Sequence, residues 1–141
     1  MIMIIDATDL IVGRLASTVA KRALLGEKID IVNAERAVIT GDRTHVLNEY
    51  KRRRDMGTWA KGPFFYRSAD RLLRRSIRGM LPYKQEKGKK AYKRIMCWKG
   101  VPEPFANQKV ESVKEAHISK VPNLRYVPLR EVVKFLGGKS E

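Results

Sequence analysis

The chain has one cysteine, Cys97, so no internal disulfide can form and a reducing, cytoplasmic setting fits. Cys97 sits in the apolar stretch IMCW and reads as a buried, inert thiol. Histidine is nearly as scarce. His45 and His117 are far apart and lack His or Cys partners at ligand spacing, which argues against zinc. No apolar run approaches the ~20 residues that a bilayer span needs. The opening MIMIID has no basic stretch before it, and Asp6 ends it too early for a secretory signal. Neither the G-x-G-x-x-G nor the Walker pattern occurs; Gly13, in DLIVGRLAS, is expected to let a helix pack closely on a sheet. Asp6 and Asp9 follow the first strand and are expected to favour a helix N-terminus electrostatically. Acid is also lacking where RNA hydrolysis would need it, since residues 43–99 hold 4 Asp/Glu. A processing enzyme requires clustered carboxylates for metal, or a nucleophile with its base. No enzymatic activity, metal, cofactor, small-molecule substrate or membrane contact is therefore expected.

What the chain does have is positive charge in one place. Residues 1–42 carry 5 Lys/Arg against 6 Asp/Glu, residues 43–99 carry 18 against 4, and residues 100–141 carry 7 against 5. Nearly all of the net +15 lies in the middle segment. A solvated surface mixes its signs, whereas a block of one sign calls for a polyanion, most commonly nucleic acid. The 43% hydrophobic content over 141 residues supports one folded domain, residues 1–141, not a basic tail.

The scaffold is legible in the flanks. Met1–Ile5 reads as a buried strand. Val12, Leu15, Ala16, Val19, Ala20 and Ala23 recur at helical spacing, with Gly26 as the C-terminal stop, and Ile29–Val32 reads as a second strand. Strand–helix–strand predicts a right-handed βαβ unit with parallel strands. Ala37–Thr40 is a third candidate strand and Ile95–Trp98 a fourth, giving an α/β sheet with helices on both faces. Asp42 is placed to begin a helix reaching Arg54 with Val46, Leu47 and Tyr50 inward. Residues 102–127 look irregular, and Pro128 fits the first turn of a last helix, with Leu129, Val132, Val133 and Leu136 inward.

The middle segment supplies the candidate site. Between Ser68 and Leu81, Ala69, Leu72, Leu73, Ile77 and Met80 form one stripe, and Arg71, Arg74, Arg75 and Arg78 form another on the opposite side. Four arginines at i, i+3, i+4 and i+7 repel one another unless an anion neutralises them, and the arginine fork suits phosphate. Their joint removal is expected to leave the isolated protein folded. Lys51, Arg52, Arg53 and Arg54 close the preceding helix. The loop after it interleaves Trp59, Phe64, Phe65 and Tyr66 with Lys61 and Arg67, as stacking on unpaired RNA bases requires. Trp59 is expected to be exposed, while Phe64 and Phe65 either stack or anchor the loop to the core. Lys84, Lys87, Lys89, Lys90, Lys93 and Arg94 surround Gly88 in a polar stretch that reads as a loop followed by a short helix, expected to be mobile alone and ordered on RNA.

These residues resemble a known family, the large-subunit ribosomal protein thirteen family. The resemblance covers most of the chain. It rests on GRLAS (Gly13–Ser17) followed by Ala20–Lys21, on Val32–Asn33, Thr40–Gly41 and Tyr50, and above all on SIRGMLP (Ser76–Pro82). CWKGVPEPF stands where bacterial members carry a His- and Pro-rich segment, and with the short end after Gly138 it is similar to the archaeal branch. The resemblance implies a three-layer α/β/α fold around a small, mainly parallel four-stranded sheet. It implies a structural role in the large ribosomal subunit, bound to large-subunit ribosomal RNA beside neighbouring ribosomal proteins, with no catalysis. A small metal-dependent RNA-processing enzyme and a messenger-RNA-binding translation regulator are the alternatives.

Overall fold

The computed structural model describes residues 2–138. The βαβ opening forms as its pattern predicts. Strand β1 (Ile2–Asp6) and strand β2 (Lys28–Val32) pair in parallel, with Ile5 opposite Ile31, and helix α1 (Val12–Leu24) joins them. All six apolar positions marked by the helical spacing are buried on α1. Gly26, at φ +104°, turns the chain out of the helix toward β2.

The sheet has three strands, not four. Strand β4 (Ile95–Cys97) pairs in parallel with β2, giving the order β1-β2-β4. Strand β3 (Val38–Thr40) leaves this sheet and pairs antiparallel with strand β5 (Tyr126–Pro128), which takes the end of the stretch expected to be irregular and the proline expected in the first turn of the last helix. The reason is geometric. Both edges of β2 are taken, and Glu111 fills the outer edge of β1, where its backbone bonds Ile4 and Asp6. Asn33, at φ +57°, and the tight turn Ala34–Arg36 lead the chain away.

The two faces of the sheet are covered differently. Met3, Ile5, Ile29, Ile31, Ile95 and Cys97 share one face by register. They join one core with α1, with helices α3 (Ala69–Gly79) and α4 (Glu86–Lys93), and with helix α5 (Leu129–Phe135). The opposite face carries Ile4, Asp30 and Val32. There the expected helical layer is replaced by residues 98–111, which run from the β4 edge to the β1 edge. Trp98 Nε1 donates to the buried Asp30 Oδ1 at 3.1 Å, and the Trp98 ring packs on Phe105. One indole thus satisfies a buried carboxylate that would otherwise be costly.

Smaller expectations change as well. Gly13 is exposed, and a Cβ there would meet nothing within 4 Å, so close packing is not its role. No acid stands in the first turn of α1. Asp6 instead accepts hydrogen bonds from Thr8 and Asn33, which tie the ends of β1 and β2 together. Burial alone would raise its carboxyl, but those bonds and the Arg36 charge hold it below its ordinary value. Met80 is 46% exposed, because α3 ends at Gly79 and Leu81 takes the buried position.

The basic stretch Lys84–Arg94 is not an unstructured arm. It folds as α4, which buries Gly88 and Ala91 and packs on α1. Gly88 lies against the Pro82–Tyr83 backbone just before the helix: a Cβ there would lie 1.9 Å from the Pro82 carbonyl oxygen. Backbone-on-backbone approach replaces the apolar bulk that the stretch lacks. Gly88→Ala should therefore destabilise the protein by about 1–3 kcal/mol, read from denaturant unfolding. Gly79→Ala is the control, since nothing lies within 4 Å of its Cβ position. Equal midpoints for the two variants would show that the close approach is dispensable.

Candidate nucleic-acid interface

Helix α3 is the centre of the cationic surface. Its apolar stripe of Ala69, Leu72, Leu73 and Ile77 is buried, which turns the arginine stripe away from the core. The stripe does not behave as one unit. Arg71 and Arg75 are exposed. Arg74 is not free: its Nε donates to the Ile95 carbonyl at 3.0 Å, an Nη donates to the Tyr92 carbonyl at 3.2 Å, and its guanidinium lies 3.9 Å from the Tyr92 ring centroid. It staples α3 to α4 and β4, so the expectation that all four arginines are dispensable for folding is corrected. Arg78 lies 4.7 Å over the Tyr83 ring, with its Nε buried and unpartnered.

Helix α2 (Arg43–Asp55) delivers Lys51–Arg54 to the same side, with Val46 buried and Leu47 and Tyr50 half-buried as expected. Lys51 points to solvent. Arg52 and Arg53 share Glu49, at 2.6 and 3.4 Å, and Arg54 pairs with Asp55. The Arg52 hydrogen bond holds the Glu49 carboxyl below its ordinary value. One carboxylate between two arginines leaves the helix end strongly positive.

The loop after α2 is braced. Thr58 and Gly62 exchange backbone hydrogen bonds of 3.1 and 2.9 Å, and Gly57 lies so close to the Gly62 carbonyl that a Cβ would clash with it. Trp59 stands at the tip, 93% exposed. The two phenylalanines divide the roles left open for them. Phe65 anchors, 5.9 Å from the Tyr50 ring, whereas Phe64 is 73% exposed. Lys61 and Arg67 are exposed beside them.

On α4, Lys87, Lys89 and Lys93 are exposed, Lys84 is exposed just before it, and Lys90 pairs with Glu86 at 2.9 Å. Arg94 turns inward, where it donates to the Ala23 carbonyl at the end of α1. Like Arg74, it serves the fold. Pattern reading passed over the tyrosines that hold these cations. Arg53, Arg71, Arg74 and Arg78 each lie over a tyrosine ring, on Tyr50, Tyr66, Tyr92 and Tyr83. The signal was available, because those four tyrosines all fall in the segment that is rich in arginine. Such stacking fixes a guanidinium without neutralising it.

Among the described residues no group of three or more His, Cys, Asp and Glu could hold a metal. Cys97 is buried, and burial pushes its thiol up to about 12, which makes it a poor nucleophile.

Fold and face together define a small α/β protein with a strongly cationic side built around one helix. Comparison with known proteins narrows this. The family described as Ribosomal protein L13 matches residues 1–104. Relatives called large ribosomal subunit protein uL13 come from archaea. The Archaeoglobus fulgidus protein is 46% identical over 95% of this chain and 86% of its own length. That of Methanococcoides burtonii is 46% identical over 96% and 98%, and that of Thermoplasma volcanium 42% identical over 96% and 98%. The chain belongs to the ribosomal protein L13 family.

Proposed function

We propose that this protein is a structural constituent of the large ribosomal subunit in the cytoplasm. It acts as one α/β domain that binds large-subunit ribosomal RNA beside neighbouring ribosomal proteins. The observation that carries the reading is outward charge that no carboxylate among the described residues pairs. Among the described residues Lys51, Lys61, Arg67, Arg71, Arg75, Lys84, Lys87, Lys89 and Lys93 form no salt bridge, and all are exposed. On a folded body, such charges neutralise phosphates and lower the cost of packing RNA helices together. Arg52, Arg53, Arg54, Arg78 and Lys90 add to the field from their internal pairs. Arg74 and Arg94 position the face from beneath. The names of the relatives support the same assembly, and no catalytic step or cofactor enters the mechanism. No helix among the described residues is long and apolar enough to cross a membrane.

Sedimentation tests the reading. In a lysate of the native organism the protein should migrate with the large subunit and stay there after a high-salt wash. Recovery in the light fractions before any wash, or on messenger RNA alone, would overturn it.

A further inference from the structure

A groove of about 390 Å³ runs between the end of α2, the braced loop and α3. Tyr50, Phe64, Phe65 and Leu72 line it together with Arg53 and Arg75. We propose that this groove receives one unstacked nucleobase of the bound RNA, with Phe64 as its stacking surface. This rests on the RNA-binding reading above and names what one part of the face recognises.

Four observations carry it. First, the fold leaves Phe64 unused, although its neighbour Phe65 is packed on Tyr50. Second, the ring is held ready. Gly62, at φ +84°, lets it lie against the loop backbone, with 3.2 Å between the ring and the place a Cβ would occupy. Aromatic surface that is ordered before binding loses little freedom on binding. Third, the charge is of one sign. No carboxylate lines the groove; Arg75 makes no salt bridge among the described residues and Arg53 shares Glu49 with Arg52, so a nucleotide's phosphates meet net positive charge there. Fourth, between the two arginines the lining is mostly apolar and aromatic: Tyr50, Met56, Pro63, Phe64, Phe65 and Leu72 line it, and the Ser76 hydroxyl already donates to the Leu72 carbonyl at 3.1 Å. The flat face of a base suits such a lining, and stacking on it discriminates little among the four bases. A second cavity of about 440 Å³ shares Phe64 and adds Trp59, Arg67 and the Arg54–Asp55 pair, so aromatic surface continues beside the groove.

Phe64→Ala in the full chain, bound to transcribed large-subunit ribosomal RNA, tests this. Phe64 is exposed, so the variant should fold, and its melting curve checks that. Affinity should fall about tenfold. The slope of log affinity against log salt should not change, because stacking releases no counterions. Chemical probing should show one unpaired base that the wild type protects and the variant exposes, and Phe64→Tyr should restore protection. Unchanged affinity and unchanged base reactivity would overturn the proposal. A reduced salt slope would also overturn it, since Phe64 would then only be placing cations. So would crosslinks from position 64 that reach a ribosomal protein in purified subunits. A wild-type protein that fails to bind the RNA at all refutes the underlying reading instead, whatever Phe64→Ala does.

Discussion

Raising monovalent salt from about 50 to about 200 mM is expected to weaken binding to large-subunit ribosomal RNA by about 10³–10⁵-fold, if six to ten of the exposed cations meet phosphates. Each phosphate that is neutralised releases condensed counterions, so log affinity falls linearly with log salt. The set of cations to remove follows from their surroundings. Lys51, Arg67, Arg71 and Arg75 are exposed and make no salt bridge among the described residues. Replacing all four by alanine should flatten the slope by up to about 3 units, at roughly 0.7–0.9 per contact. The isolated protein should stay folded, because these side chains carry charge rather than core. Filter binding over a salt series reads both effects. A wild-type slope near zero, or a slope unmoved by the quadruple change, would mean that the block of charge is not the binding surface.

The sequence announced this surface more clearly than it announced the architecture that carries it. Charge is a sum over residues, so the +14 of residues 43–99 needs no folding to be seen. The apolar periodicity of α1 and α3 was equally direct, because a helix reads its own spacing. Two things were not legible. Strand partnership is a long-range choice: β3 reads as a strand locally, but whether it joins β2 or β5 depends on which edges are already occupied. The second was the fate of individual arginines. Arg74 and Arg75 are neighbours on one helix and identical in type, yet a rotation of about 100° sends one under α4 and the other into solvent. No count of charges separates them. A short helix was legible where α4 stands, but not that it packs on the body. Its composition suggested that it could not bury enough apolar surface, and the missing term was an approach between two backbones at Gly88.

Arg74→Ala should destabilise the free protein by about 2–3 kcal/mol, and this prediction runs against the charge pattern. Removing one of four clustered arginines would relieve repulsion if all four faced solvent, and stability would rise. The structure gives Arg74 a different task. Its guanidinium donates to two carbonyls on different elements, Tyr92 on α4 and Ile95 on β4, and lies on the Tyr92 ring. Charged donors to carbonyls are worth more than neutral ones, and losing them leaves the Ile95 carbonyl without its side-chain donor and the Tyr92 carbonyl with only the Arg94 backbone N–H. Arg74→Lys should recover little, since a single ammonium cannot span both carbonyls and stack as well. Tyr92→Leu provides the second edge of a double-mutant cycle, in which Arg74 and Tyr92 should couple by about 0.5–2 kcal/mol. The RNA salt slope separates structure from binding. In the folded fraction Arg74→Ala should keep the wild-type slope, whereas Arg75→Ala should lower it by roughly 0.7–0.9. If Arg74→Ala leaves stability unchanged and lowers the slope by that amount, then Arg74 belongs to the phosphate-binding face after all, and the staple between α3, α4 and β4 is not what holds them.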